Sequence, residues 1–225
     1  MFGKLYSYKS IASCSMSEYP ITRCGIFAFF NPNNLLDNPK IVNISKNIEK
    51  FDIEISSTDL EIIASKDYKI ETTSSNIKIK EKNNKIIIEE KQKSVFQAGE
   101  VAKTIIYIPK EIIIEELKLE TGAGLLNIET LTINNLDLEL GAGKVTIKDL
   151  KVLKETNISG GTGQVNIFDS KLHNTELEIG VGELNLSGKL LGKTEIECGI
   201  GNSNIELLGS KKDYKLNYFI NYLVF

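Results

Sequence analysis

The chain has 225 residues, a formal net charge of -3, 41% hydrophobic residues and 25% charged residues. That length is enough to bury a real core as one long or two short domains, and the mild acidity excludes a global basic field that would draw it to nucleic acid or anionic lipid. Four prolines, no tryptophan and abundant Ile, Lys and Asn suit strands joined by polar turns.

The N-terminal stretch "MFGKLYSYKSIASCSMSEYP" lacks a basic region followed by a long apolar one, so no secretory signal is evident and the sequence alone points to the cytoplasm. The early apolar run "GIFAFF" is too short to span a bilayer. Cys14, Cys24 and Cys198 are an odd set with no metal-ligand spacing, and Cys14 and Cys24 would pair only in an exported protein. Residues 1–44, with "NPNN" and "DNP", do not fit the pattern that follows and are expected to cap it. From residue 45 the chain turns strand-like. "FDIEISSTDLEI" and "YKIETTSSNIKI" repeat a strand, polar turn and strand at a spacing of 17 residues. "NNKIIIEE" and "TIIYIPKEIIIEELKLE" continue as strands, with Pro109 at a boundary or bend.

"LETGAG", "LELGAG", "ISGGTG", "LEIGVG" and "IECGIG" then recur, their glycine motifs opening at Gly122, Gly141, Gly161, Gly180 and Gly199. A period near 20 with apolar residues alternating every second position predicts stacked coils of parallel strand. Aligned, the repeats give apolar columns: Leu119, Leu138, Ile158, Leu177, Ile196 and Leu216; then Leu126, Val145, Val165 and Leu184; then Ile128, Ile147, Ile167, Leu186 and Ile205. The middle residues of the motifs, Ala123, Ala142, Thr162, Val181 and Ile200, are read as a further inward column, with one extra residue inserted after each motif. The glycines supply a corner that only they tolerate.

"TIIYIPKEIIIEELKLETGAGLLNIETL" followed by glycine-cornered repeats resembles the bacterial "putative-adhesin" family, a domain family of unknown function, over roughly residues 45–217. The resemblance implies a β-solenoid, at or near the bacterial envelope, without established enzymatic activity.

The glycine motifs do not read as nucleotide loops. A dinucleotide fingerprint needs a following helix and a P-loop needs G-K-[ST]; "GAGLLN" and "GAGKVT" lead into strands instead. The aspartate of calcium-binding β-roll turns is missing too. Asp149 and Asp169 share one position of successive coils, where polysaccharide-cutting β-helices carry carboxylates, but Asp also favours corners. His173 is the single histidine and sits in a polar turn beside Asn174, with no Ser or Cys partner in evidence.

Two outward ladders are the candidate binding surface. Glu139, Glu178 and Glu197 share one column, beside Asp137, Glu176 and Glu195, with Lys118, Asn157, Ser159 and Lys215 interrupting the array. A solvated acidic face is the plain reading; a surface for a cation or basic partner is the functional one. Asn127, Asn166, Asn185 and Asn204, with Thr146, form an amide ladder that either bonds to itself or presents a strip to a glycan or protein.

The expectation is therefore an all-β, single-stranded parallel β-helix (β-solenoid) with 19–20-residue coils, right-handed by the general crossover preference. It spans residues 45–225 behind an N-terminal segment 1–44. Its expected role is a non-catalytic binding or scaffolding module with a protein or glycan ligand, without cofactor, metal, nucleic acid or transmembrane segment. The competing class is a polysaccharide-active β-helix enzyme, a lyase or glycoside hydrolase. The aromatic stretch "YKLNYFINYLVF" after the last glycine motif is expected to support a homodimer through the C-terminal coil.

Overall fold

The structure, a computed structural model, describes residues 35–91, 101–209 and 215–220. Among these there are strands and no helix: β1 (Leu35–Asn43), β2 (Lys50–Ile55), β3 (Asp59–Ser65), β4 (Lys69–Ser74), β5 (Ile77–Lys82), β6 (Lys85–Glu90), β7 (Lys103–Pro109), β8 (Ile113–Glu129), β9 (Thr132–Lys148), β10 (Lys151–Leu207) and β11 (Lys215–Ile220). They form one curled, open all-β sheet. The segment "NPNN" and Cys14 and Cys24 lie outside the described residues.

Parallel stacking dominates. β9 lies on β8 at one constant offset, from Ile113 on Thr132 to Glu129 on Lys148. β10 begins on β9 at the same offset, Val152 on Ile133, then lengthens it by one position from Glu155 on Asn135 onward. The added residue falls between Val152 and Glu155, and Leu153, 42% exposed, is thrown outward there. A constant offset with period-two alternation puts like residues on like: Leu119, Leu138, Ile158, Leu177 and Ile196 are all at most 2% exposed. Burying one such side chain contributes roughly 1.5–3 kcal/mol.

The first turn of this stack comes from far earlier in the chain. Phe51 pairs with Leu117 and Leu60 with Leu126, so β2 and β3 together lie on β8. Above them β6 lies parallel on β2 and β7 parallel on β3. Antiparallel strands close this end: β5 on β6, β4 on β7 and β1 on β4. The β5–β6 hairpin turns through Asn83 and Asn84, both at positive φ (52° and 58°), as a two-residue turn of the primed kind requires.

Three expectations are corrected. The 17-residue spacing between "FDIEI" and "YKIET" is not a stacking period, because β4 and β5 pair antiparallel with β1, β7 and β6 and never lie on β2 or β3. The middle residues of the glycine motifs point outward: Ala123, Ala142 and Thr162 are exposed, as are Val181 at 44% and Ile200 at 57%. The direction changes within the motif, since Gly141 to Lys144 are all exposed between Leu138 and Val145. Finally, Ile196 is continued by Tyr218 and not by Leu216, which pairs with Thr194. The offset from β10 to β11 is two positions greater than the repeat predicts, and a shift of two keeps the same alternation.

The second glycine of each motif is where backbone freedom decides. Gly143 has φ of +141°, and a Cβ there would run into the carbonyl oxygen of Gly124 one turn above. Farther along each turn a second corner uses non-glycine residues at positive φ: Thr130 (56°), Asp149 (50°) and Asp169 (52°). Beyond them the core resumes with Leu131 and Leu150.

Candidate functional site

The outward position just before each glycine motif forms a ladder down the stack. Glu54 pairs with Glu120, Glu120 with Glu139 and Glu139 with Ser159, and Glu178 and Glu197 hold the same position in the next two repeats. Rungs of a sheet are about 4.8 Å apart, so these carboxylates stand close enough to repel. All but Glu197 border a shallow groove of about 490 Å³ along the glycine corner, lined by Glu54, Glu120, Glu139, Ser159 and Glu178 together with Ser56, Gly122, Gly141 and Gly161.

Glycine shapes the groove twice. The corner glycines carry no side chain to fill it. In the adjoining column of Thr121, Leu140 and Gly160, the last leaves a gap toward which Ile179 leans, its Cδ1 only 2.9 Å from where a Cβ of residue 160 would stand. Repulsion within the ladder is partly relieved by the neighbouring column, in which Asp52 pairs with Lys118 and Lys118 with Asp137. Lys118 Nζ lies 3.5 Å from Glu120, and that bond, followed by the fields of Glu120, Asp137 and Glu139, raises the ammonium pKa above its ordinary value. Ser159 breaks the run of glutamates and spares it a further like charge.

Of the residues singled out from sequence, Glu139 and Glu178 line the groove together. Glu197 continues their column but pairs with Phe219 of β11, outside the lining. Glu54 and Glu120 complete the groove, and the sequence reading misses both. Glu120 stands one regular step before Glu139, so the period is signal enough; Glu54 meets Glu120 across a long stretch of chain and has no periodic signal.

The amide ladder lies on the other side of the corner, and its amides bond to one another. Asn204 donates to Asn185 Oδ1 at 3.0 Å, Asn185 to Asn166 Oδ1 at 3.0 Å, and Asn166 to the Val145 carbonyl at 3.2 Å. Asn185 also donates to Glu183 at 2.9 Å. Asn166 is buried. Asn127 pairs in register with Thr146, which pairs with Asn166. Asp149 and Asp169 occupy the positive-φ corner described above, the conformation that short polar side chains tolerate. The His173 carbonyl accepts the Thr156 hydroxyl at 3.1 Å, and the adjoining Asn174 bridges three turns, donating to the Lys154 carbonyl at 2.9 Å and accepting from the Lys193 N–H at 3.2 Å. Among the described residues no three or more His, Cys, Asp or Glu side chains are grouped to hold a metal, and no helix is long and apolar enough to cross a membrane.

Solved structures resemble this chain to differing degrees. The crystal structure of a "putative cell adhesion protein" from Clostridium sporogenes superposes with a TM-score of 0.51 at 20% identity, over 76% of this chain and 100% of that one. A "putative adhesin" from Bacteroides fragilis reaches a TM-score of 0.33 at 12% identity, over 75% of this chain and 97% of that one. A "putative lipid binding protein" from Parabacteroides distasonis reaches 0.30 at 13% identity, over 82% of this chain and 98% of that one. No curated protein matches the chain. The Toastrack DUF4097 family model matches residues 48–218, three quarters of the chain and all of the glycine-cornered stack, and the chain belongs to that family.

Proposed function

We propose that this protein is a non-catalytic binding or scaffolding module whose working surface is the acidic groove along the glycine corner. The observation that carries the reading is the groove itself, about 490 Å³, open, and bordered by glutamates from successive turns. In this reading the domain occupies residues 45–225 behind the segment 1–44, and its parallel turns from β8 onward form a right-handed, single-stranded β-helix with 19–20-residue coils. Right-handedness follows the general preference of parallel crossovers. The ligand is a protein or glycan that presents cationic or hydrogen-bonding groups, because a row of carboxylates selects for them. An adhesive role at the bacterial envelope is part of the reading, as the name of the Clostridium sporogenes neighbour assigns adhesion to that protein.

The test is a binding screen of the full chain against a glycan array and against poly-lysine at low and high salt, beside a Glu139→Gln, Glu178→Gln, Glu197→Gln triple variant. Saturable binding that weakens with salt and is lost in the variant supports the groove. Equal binding by both proteins removes the groove as the working surface. The variant is expected to be as stable as the wild type or slightly more so, because like charges are relieved. Calcium is expected to leave both melting temperatures unchanged, and a rise confined to the wild type would convert the groove into a cation site. The outer edge of β11 pairs with no other described strand, and homodimerisation through that edge is the assembly this reading carries. A monomeric mass by light scattering at high concentration would remove it.

A further inference from the structure

The corner between β2 and β3, Ser56–Ser57–Thr58, stands where later turns carry glycine. At the next corner the Ala123 N–H donates to the Ser56 carbonyl of the turn above, at 2.9 Å. Among the described residues no such corner stands above Ser56–Thr58. β6 and β7 lie over β2 and β3, with Ile53 on Ile88 and Ile62 on Ile106. Ile88 and Ile106 are twice as far apart along the chain as Ile53 and Ile62, so the two strand pairs overhead are not joined at the spacing of the tight corner. Main-chain donors that a corner above would have met need another partner, because an unpartnered N–H that is partly buried is costly.

Glu90, the last residue of β6, supplies it. Its Oε2 accepts the N–H groups of Ser56 at 2.7 Å, Ser57 at 2.8 Å and Thr58 at 3.3 Å. Its Oε1 accepts the Thr58 hydroxyl at 2.6 Å and the Ser57 hydroxyl at 3.4 Å. The following donor, Asp59 N–H, goes to the Ala102 carbonyl at 2.9 Å, where the chain returns into β7. Three successive main-chain N–H groups and two hydroxyls converging on one carboxylate form an anion-binding nest. Charge-assisted bonds of this kind are the strong ones.

We propose that Ser56–Thr58 is a carboxylate receptor, filled in cis by Glu90 and able to accept a small free carboxylate in its place. Its donors all lie in the corner, which is held at both ends by β2 and β3 packed on β8, so the receptor is framed by elements that do not depend on the Glu90 side chain. The nest adjoins the groove through Ser56 but is independent of the function proposed for the groove.

The experiment compares the full chain with Glu90→Ala by thermal melting and amide hydrogen exchange, in sodium formate, sodium acetate and sodium chloride of equal ionic strength. In chloride, Glu90→Ala is expected to melt several degrees lower and to exchange the Ser57 and Thr58 amides at least about tenfold faster. Formate is expected to restore both in a saturable manner, acetate less so because of its methyl group, while the wild type responds to neither. If Glu90→Ala does not fold in chloride, refolding is repeated in formate, and Glu90→Asp, which keeps the charge one methylene shorter, is melted alongside. Failure of formate to restore folding or protection in the alanine variant overturns the proposal, as does undiminished protection of these amides in that variant in chloride.

Discussion

Asn185 donates its side-chain amide to Asn166 Oδ1 at 3.0 Å, one turn of the stack above, and Asn166 passes the chain of bonds on to the Val145 carbonyl. Asn166 is only 6% exposed, so its polar atoms have little recourse to water. Asn166→Ala is therefore expected to lose about 1–3 kcal/mol, because it also leaves the Val145 carbonyl and the Asn185 amide short of a partner. Asn204→Ala, at the exposed end of the same ladder, is expected to cost under about 1 kcal/mol. Chemical denaturation of the two variants distinguishes a structural ladder from a solvated strip, for which both losses would be equally small.

Gly143→Val is expected to destabilise by several kcal/mol, on the order of the largest single-site losses. Positive φ of +141° is strained for any residue with a Cβ, and the carbonyl of Gly124 fills the space that valine would need. Gly124→Ala comes nearest to the Asp59 side chain, at 3.3 Å, with the Thr58 and Ser57 carbonyls at ordinary contact distance, and should suffer the backbone strain with little of the clash. Melting curves of the two rank them, and ATP should shift neither.

Thr156, Thr175 and Thr194 form an interior column of threonines, all at most 3% exposed. The Thr156 hydroxyl has the His173 carbonyl as its acceptor, whereas the Thr175 hydroxyl is buried without a partner. Valine is nearly the same shape. Thr175→Val is thus expected to stabilise by about 1 kcal/mol and Thr156→Val to destabilise by a similar amount. Opposite shifts in denaturation midpoint are the signature; a loss in both would show that the Thr175 hydroxyl has an acceptor after all.

The hydrogen bond from Lys69, whose Nζ lies 2.9 Å from the Glu71 carboxylate, holds that carboxyl below its ordinary pKa; burial opposes the shift, and the Tyr107 hydroxyl at 3.1 Å adds to it. A depressed folded-state pKa contributes stability that is present above the unfolded value and lost as pH falls through the folded one. The wild-type melting temperature should accordingly decline below about pH 4, and Glu71→Gln should decline less over that interval. Parallel curves for the two proteins would remove Glu71 from the acid response.

The aliphatic columns were legible because two regularities agreed, period-two alternation along the strand and a nearly constant step between turns. Leu138 and Ile158 could hardly be placed otherwise. The orientation of Ala142, Thr162 and Val181 was not legible, since alternation is silent inside a corner whose glycines leave the extended region. Small or branched residues are tolerated on either side of such a corner. Leu216 and Tyr218 differ by two positions and so satisfy the same alternation; the length of the preceding turn decides between them, and hydrophobic pattern does not report it. The groove was half legible for a related reason. Its lower rungs repeat at the period of the stack, while Glu54 reaches it through the pairing of two segments far apart in the chain.

That long-range pairing has a kinetic consequence. Closing a turn between β8 and β9 joins Ile113 to Thr132, whereas laying β2 on β8 joins Phe51 to Leu117, a loop more than three times as long. Loop-closure entropy makes the second step more expensive by about 1 kcal/mol before any contact rewards it. On loop length the C-terminal turns are expected to nucleate first, with the N-terminal strands docking onto a surface already made. A ribosome delivers the segments in the reverse order. Each nascent chain emerges with Phe51, Ile53 and Ile55 synthesised well before the strand that will cover them, and for that interval it is the part of the molecule most exposed to chaperones and to its neighbours.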